Sequence, residues 1–316
     1  MLTYILFFVG FLALIKGADL LVDGASSLAN RLGISALVIG LTVVAFGTSA
    51  PELAVNILAS LNNSTDIAIG NILGSNIVNI LLILGVSAII YPLAVKRGTV
   101  WKEIPFALLA VVVLSFLVTD SEVSRYDGLV LLLFFGVFLI YIYRLTRQEQ
   151  SANTALSENE IEVGHSLMKS WVMVIVGMVG LVLGGKWIVD GAVAFATGFG
   201  VSEALIGLTI VAIGTSLPEM ATSIVAAYKK NFDIAVGNIV GSNIFNIFWI
   251  LGVSSIIQPL PFSAGLTTDL KVTFVVTLAL FLTLFVGKKH ILERWQGVAF
   301  VILYVFYILY LIHFNN

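Results

Sequence analysis

Apolar residues in this chain come in long unbroken runs rather than in alternation. A helix needs about 20 mostly apolar residues to cross a bilayer. Ten stretches meet that length or come close to it, at roughly 2–22, 34–60, 66–91, 103–119, 127–145, 170–190, 201–228, 233–258, 269–287 and 296–313. Strands of a closed barrel would alternate every second residue, so the runs predict helices. The one long polar stretch, 148–169, holds Glu149, Glu158, Glu160 and Glu162 and reads as a solvated linker. It separates residues 1–147 from residues 170–316, with five predicted spans in each. The expected fold is an all-α polytopic membrane protein of ten transmembrane helices.

The two halves are copies. Gly40-Leu41-Thr42-Val43-Val44-Ala45-Phe46-Gly47-Thr48-Ser49-Ala50-Pro51-Glu52 returns as Gly207-Leu208-Thr209-Ile210-Val211-Ala212-Ile213-Gly214-Thr215-Ser216-Leu217-Pro218-Glu219. The offset of 167 holds without a gap from Asp23/Asp190 to Pro92/Pro259, with about 40 of 70 positions identical. Packing alone requires apolarity, not matched Thr, Ser, Pro, Glu and Asn. A carboxylate at membrane depth costs several kcal/mol unless compensated, which makes an intramembrane glutamate a functional-site hypothesis. Two in equivalent places suggest one site built by two halves.

Composition agrees with the spans. The chain is 59% hydrophobic and 11% charged, with a mean hydropathy of +1.07, against about 25% charged in an ordinary soluble domain. A net charge of −2 gives no basic surface for nucleic acid, and the absence of cysteine excludes disulfides, thiol catalysis and Cys-ligated metal. The apolar N-terminus has no basic stretch before it and reads as the first span rather than a cleaved signal. Lys and Arg then set the orientation. One side of the predicted spans carries twelve of them, the other only Arg125 and Lys271. That asymmetry places the richer side in the cytoplasm, with both termini outside and the linker inside. Five spans per half is an odd number, so the second half enters the membrane upside down. The result is a pair of inverted five-helix repeats, an arrangement in which transporters bind substrate near midplane at the repeat interface.

The polar residues within the runs define the candidate site. Thr48 and Ser49 share a helix face with Glu52, and Pro51 after Gly47 predicts a break in that helix. Freed carbonyls are tolerated at this depth only around a cavity or inside protein. Hydroxyls, carbonyls and a carboxylate make an all-oxygen donor set suited to hard cations such as Ca2+. Thr215, Ser216, Pro218 and Glu219 supply the second copy. In the next span Asn71, Ser75 and Asn79 form a polar stripe, repeated by Asn238, Ser242 and Asn246. Ser75, Asn79, Ser242 and Asn246 are expected to line the site. Asn71, Asn76, Asn238 and Asn243 fit ligand support and interhelical hydrogen bonding equally well. Asp23 and Asp190 are expected at span ends as caps or gates, and Lys16 can pair with Asp19 and Lys186 with Asp190 along their helices. His165, His290 and His313 lie outside the repeats.

These motifs, G-x-x-x-x-A-x-G-T-S-x-P-E and G-N-x-x-G-S-N-x-x-N in both copies, resemble the cation/calcium antiporter superfamily, in particular prokaryotic sodium/calcium exchangers. The resemblance covers the whole ten-span layout and implies a prokaryotic cell (inner) membrane. It implies that Glu52 and Glu219 coordinate Ca2+ and Na+ with the hydroxyls of Thr48, Ser49, Thr215 and Ser216. It adds the carbonyls of Ala45 and Ala212, and carries the third- and eighth-span positions onto Ser75, Ser242, Asn79 and Asn246. It further implies that spans one and six slide across the rest to expose the site to each side in turn. Several members carry Asp where this chain has Asn246, so two carboxylates remain, matched by one Ca2+ or two monovalent ions. The G-N-A-x-E pattern of the calcium/proton branch is absent.

The expected activity is Na+/Ca2+ exchange by alternating access, with the two ions as substrates, no cofactor, and the lipid bilayer but no obligatory protein as partner. An H+- or K+-coupled divalent cation antiporter on the same scaffold is the alternative. A channel would pass ions without an obligatory counter-ion. An intramembrane serine protease would need a His base that the apolar core lacks, and no Walker A motif exists to couple transport to ATP. No enzymatic activity is expected.

Overall fold

The computed structural model describes residues 2–62, 64–156, 165–198, 212–263 and 265–314. It is mostly helical. Among the described residues, eight helices are long and apolar enough to cross a membrane, and a bent pair is a ninth candidate. In chain order they are α1 (Leu2–Leu32), the bent pair α2 (Ala36–Thr48) and α3 (Ala50–Leu61), α4 (Ile67–Ile90), α5 (Arg97–Asp120) and α6 (Arg125–Leu156). The second half adds α7 (Leu167–Gly198), α8 (Leu217–Tyr228) after a turn at Ala212–Gly214, α9 (Phe232–Ile257), α10 (Leu266–Thr283) and α11 (Arg294–Phe314). Residues 201–211 of the predicted seventh span lie outside the described residues.

Burial sorts the helices by their polarity. In α4 and α9, which carry the Asn- and Ser-rich motifs, 78% and 83% of the most apolar window is buried, against 22% in α6 and α11. Polar side chains that would be costly in lipid therefore sit at the centre, and the uniformly apolar helices form the outer wall.

Helices α1 and α7 are 31 and 32 residues long, well beyond the predicted 2–22 and 170–190. Asp23 and Asp190 consequently lie inside helices rather than at their ends. The two helices meet backbone to backbone. A Cβ added at Gly17 would lie 2.8 Å from the Gly177 carbonyl oxygen, and one at Gly10 would lie 2.9 Å from that of Gly184. Gly10 and Gly177 are repeat equivalents, as are Gly17 and Gly184, so the crossing is symmetric. Small residues permit such close approach, which replaces the hydrophobic effect as the source of helix association in lipid.

Short connections tie the halves together. Leu93–Ala94 pairs antiparallel with Ile291–Leu292, and Glu122–Val123 with Leu260–Pro261. Each pairing joins two loops that the Lys/Arg count assigns to one side. Lys229 bonds Asp19 at 2.5 Å and Asp23 at 2.7 Å, and Lys96 bonds Asp233 at 2.5 Å. Asp19 thus pairs with a distant loop rather than with Lys16, because a helix end within reach offers a less hydrated partner than a neighbour one turn away. The linker is only partly the solvated segment expected. Helix α6 runs into it as far as Leu156, and Glu149 accepts the backbone N–H of Ser35 at 2.8 Å. Residues 157–164 lie outside the described residues.

The seam makes a sharp prediction. Gly17→Ala should cost about 1–3 kcal/mol of stability through overpacking, read as a lowered unfolding midpoint of the detergent-solubilised protein. Gly136→Ala, where an added Cβ meets nothing within 4 Å, should leave it unchanged or raise it.

Candidate cation site

Pro51 and its neighbours break the helix as the sequence predicts. The chain bends by 45° between α2 and α3. Ser49 leaves helical geometry at φ −82°, ψ 7°, and Pro51 falls in the first turn of α3, where its missing N–H costs nothing. The second copy repeats this: Ser216 sits at φ −86°, ψ 6°, with Pro218 in the first turn of α8. Glu52 and Glu219 therefore occupy helix N-termini, where unsatisfied N–H groups favour negative charge. Both are only 1% exposed.

The two repeats exchange their hydroxyls. The stretch Ser-x-Pro-Glu has the spacing of a capping box, in which the serine would bond the N–H of its own glutamate. Neither serine caps its helix. Ser49 Oγ instead donates to Glu219 Oε1 at 2.9 Å, and Ser216 Oγ to Glu52 Oε1 at 3.2 Å. Ser75 Oγ lies 3.5 Å from Glu52 Oε1, and Ser242 Oγ lies 3.3 Å from Glu219 Oε1 and 3.0 Å from Ser49 Oγ. Thr48 Oγ1 donates to Asn238 Oδ1 at 3.0 Å, and Thr215 Oγ1 to Asn71 Oδ1 at 3.3 Å. Apart from the Ser242–Ser49 contact, each of these has its counterpart 167 residues along. A hydroxyl has one hydrogen and two lone pairs, so donation to a carboxylate leaves the serine oxygens as acceptors of positive charge.

One oxygen of each glutamate, Oε2, is buried without a hydrogen-bond partner, as are Oδ1 of Asn79 and Oδ1 of Asn246. These four oxygens come two from each half. Among the described residues no group of three or more His, Cys, Asp or Glu is assembled. The Ala45 carbonyl accepts the N–H of Ser49 at 3.0 Å and lies 3.4 Å from Thr48 Oγ1. In the second copy Ser216 N–H goes to Ile213 O at 3.1 Å instead of to Ala212. All twelve candidate residues thus lie in or beside the two breaks and the stripes facing them. Gly47 and Gly214 have no room for a side chain because α7 covers both breaks: an added Cβ would lie 2.3 Å from Met178 Cε and 2.3 Å from Val189 Cγ2 respectively.

Three elements of the site escape sequence reasoning. Gly40–Val44, Val78–Leu84 and Phe245–Leu251 are π-helical, and the latter two contain Asn79 and Asn246. Such turns occur often at functional sites, but these stretches are as apolar as any α-helical run and carry no signal. The crossing of the serines is the second, since a capping-box spacing points to the wrong partner. The third is a quartet of asparagines discussed below.

Comparison with known proteins establishes the family. The family described as sodium/calcium exchanger protein matches residues 2–144 and 169–313, one match in each half. The chain belongs to the sodium/calcium exchanger family. The exchanger-family relatives include the putative antiporter CaxA of Alkalimonas amylolytica, 39% identical over 303 residues and 95% of each chain. Sodium/calcium exchanger MaX1 of Methanosarcina acetivorans is 31% identical, covering 98% of this chain and 99% of that one. A solved structure of the sodium-calcium exchanger NCX_Mj, soaked with 2.5 mM Na+ and 0.1 mM Ca2+, matches with a TM-score of 0.83 at 35% identity over 97% of each chain. The protein is accordingly a multi-pass membrane protein from a family of cation-exchange antiporters.

The crossed serines can be tested on this exchanger-family chain directly. In a double-mutant cycle read by thermal unfolding, Ser49→Ala should couple to Glu219→Gln by about 0.5–3 kcal/mol. It should couple far less to Glu52→Gln, three residues along its own chain. Equal coupling to both would remove the crossed arrangement.

Proposed function

We propose that this chain is a secondary active antiporter exchanging Na+ for Ca2+ by alternating access, with the cations held between Glu52 and Glu219. The observation that carries the reading is the exchange of serine hydroxyls between the repeats, which leaves each buried carboxylate with a free oxygen. Neither half holds a complete site, so a cation binds where the halves meet. Thr48, Ser49, Ser75, Thr215, Ser216 and Ser242 contribute hydroxyl oxygens, Asn79 and Asn246 amide oxygens, and Ala45 and Ala212 carbonyl oxygens. The name of MaX1 and that of the NCX_Mj structure, soaked with both ions, support Na+ and Ca2+ as the pair.

The layout in this reading is ten spans in two inverted five-helix repeats, 1–147 and 170–316, joined by the cytoplasmic linker 148–169. Both termini face out of a prokaryotic cell (inner) membrane. The Lys/Arg asymmetry supports it, and so does the pairing of loops from the two halves on each side.

The mechanism follows from charge. One Ca2+ neutralises both glutamates, and so do two Na+. With neither ion, two desolvated carboxylates face each other, and burying an unpaired charge is far costlier than burying a neutralised one. The unloaded site therefore resists the conformational change, which couples the two ions instead of letting either leak. At two Na+ entering per Ca2+ leaving, equal charge moves both ways and the membrane potential cancels, so the Na+ concentration gradient drives Ca2+ outward.

Reconstituted vesicles test this. An imposed Na+ gradient should drive 45Ca2+ uptake, with K+ and H+ gradients of the same size as controls that separate the alternative couplings. Glu52→Gln and Glu219→Gln should each abolish exchange while the protein still folds. Uptake at the wild-type rate in either variant would overturn the assignment. Protons are the other means of neutralising a buried carboxylate, so apparent Ca2+ affinity should fall from mildly alkaline to mildly acidic pH. An affinity flat across that range counts against the site.

A further inference from the structure

Four asparagines, Asn76, Asn79, Asn243 and Asn246, close a ring at the centre of α4 and α9. All are at most 4% exposed. Asn79 Nδ2 donates to Asn243 Oδ1 at 2.9 Å, and Asn246 Nδ2 to Asn76 Oδ1 at 2.9 Å. Asn76 Nδ2 lies 3.4 Å from the backbone oxygen of Asn243, and Asn243 Nδ2 lies 3.4 Å from that of Asn76.

The orientation of every amide in this ring follows from one fact. A backbone carbonyl can only accept. Asn76 and Asn243 must therefore turn their NH2 groups toward each other's carbonyl. Their Oδ1 atoms then point the opposite way, and these too can only accept. The facing groups of Asn246 and Asn79 must donate, so their amide nitrogens turn inward to the ring. What remains of Asn79 and Asn246 is Oδ1, and in both residues that oxygen is buried with no partner. Asn79 lies one turn beyond Ser75, and Asn246 one turn beyond Ser242, the two serines that reach the glutamates.

We propose that Asn76 and Asn243 are positioning residues that act through Asn246 and Asn79. They lock both terminal amides oxygen-first, so that a cation meets two neutral acceptors and never an NH2 group. The proposal rests on the Glu52–Glu219 region being the cation site. It assigns a role to Asn76 and Asn243 distinct from interhelical adhesion, since adhesion would be served by either amide orientation.

The test is the Na+ concentration dependence of Ca2+ flux in proteoliposomes. Asn76→Leu removes the acceptor that fixes Asn246, and its half-saturating Na+ should rise ~10-fold or more, the usual scale for losing an orienting partner of a metal ligand. Asn76→Asp in its neutral form donates to the Asn243 carbonyl as the amide does and keeps an acceptor oxygen toward Asn246, so it should not weaken Na+ dependence. The double variant N76L/N246L should match N246L alone, because Asn76 has nothing left to position. Asn243→Leu and Asn243→Asp, read against Asn79→Leu, repeat the comparison from the other half if one variant fails to fold. Three results overturn the proposal: a lowered maximal rate at unchanged half-saturation, N76D as impaired as N76L, or additive effects in the double variant. Wild-type flux that ignores the Na+ gradient would instead remove the underlying site assignment.

Discussion

Two carboxylates that water cannot reach, each with one oxygen left without a partner, impose the constraint on which this structure turns. Everything near them supplies partial compensation. The helix breaks put both glutamates at N-termini, where the end of a helix carries roughly half a positive charge. Serine hydroxyls from the opposite repeat add one hydrogen bond each. Fractional charges and single hydrogen bonds do not cancel a full negative charge in a medium of low dielectric. In the proposed function, the deficit left at Oε2 of each glutamate is what a cation supplies, so the feature that makes the empty fold costly also selects for positive charge.

The second consequence is that the halves are interdependent. Had each serine capped its own helix, as its spacing invites, each repeat would hold a self-contained acidic turn and the interface would be ordinary packing. The hydroxyls cross instead. Thr48 and Thr215 cross as well, to Asn238 and Asn71. The glycine seam between α1 and α7 brings the halves together elsewhere, at a spacing no side chain would permit. Helix α7 then lies over both breaks through Met178 and Val189. The pair of long helices is thus packed most intimately on itself and touches the site at two glycines, the arrangement expected of a unit that covers the site without holding it.

Much of this was legible in the sequence because membranes restrict the choices. A bilayer span must be apolar and helical, so the runs yielded the helices. A proline and glycine beside an intramembrane glutamate leave few options other than a break, and the break is there. The duplication named the candidate site residues, since packing alone does not require matched polar identity at membrane depth. What stayed hidden depends on three-dimensional registry. The π turns at Asn79 and Asn246 lie where α4 and α9 pack against each other and have no counterpart in the local sequence pattern. Helix α1 runs past its predicted end, where Asp23 meets Lys229 across elements, which makes a charged residue compatible with a continuing helix. The partner of Ser49 lies 170 residues away, beyond any local motif.

The places where the two copies differ carry the remaining information. In the second half Asn238 Nδ2 reaches the backbone oxygen of Glu219 at 3.3 Å and Ser223 Oγ at 3.0 Å, which staples α8 to α9. In the first half the position of Ser223 is taken by Asn56, whose Nδ2 turns back to the Glu52 carbonyl within its own helix at 3.0 Å. Asn71 Nδ2 is left without a partner. The Glu219 carbonyl is therefore tied to a neighbouring helix, while the Glu52 carbonyl takes its side-chain bond from its own helix. In the proposed cycle an ideally symmetric network would make the outward- and inward-open arrangements equal in energy, because inversion of the repeats interchanges them. Unequal anchoring of the two glutamates breaks that equality. In that cycle a preferred resting orientation would reside in residues beside the candidate ligands, where the copies diverge, rather than in the candidate ligands, where they agree.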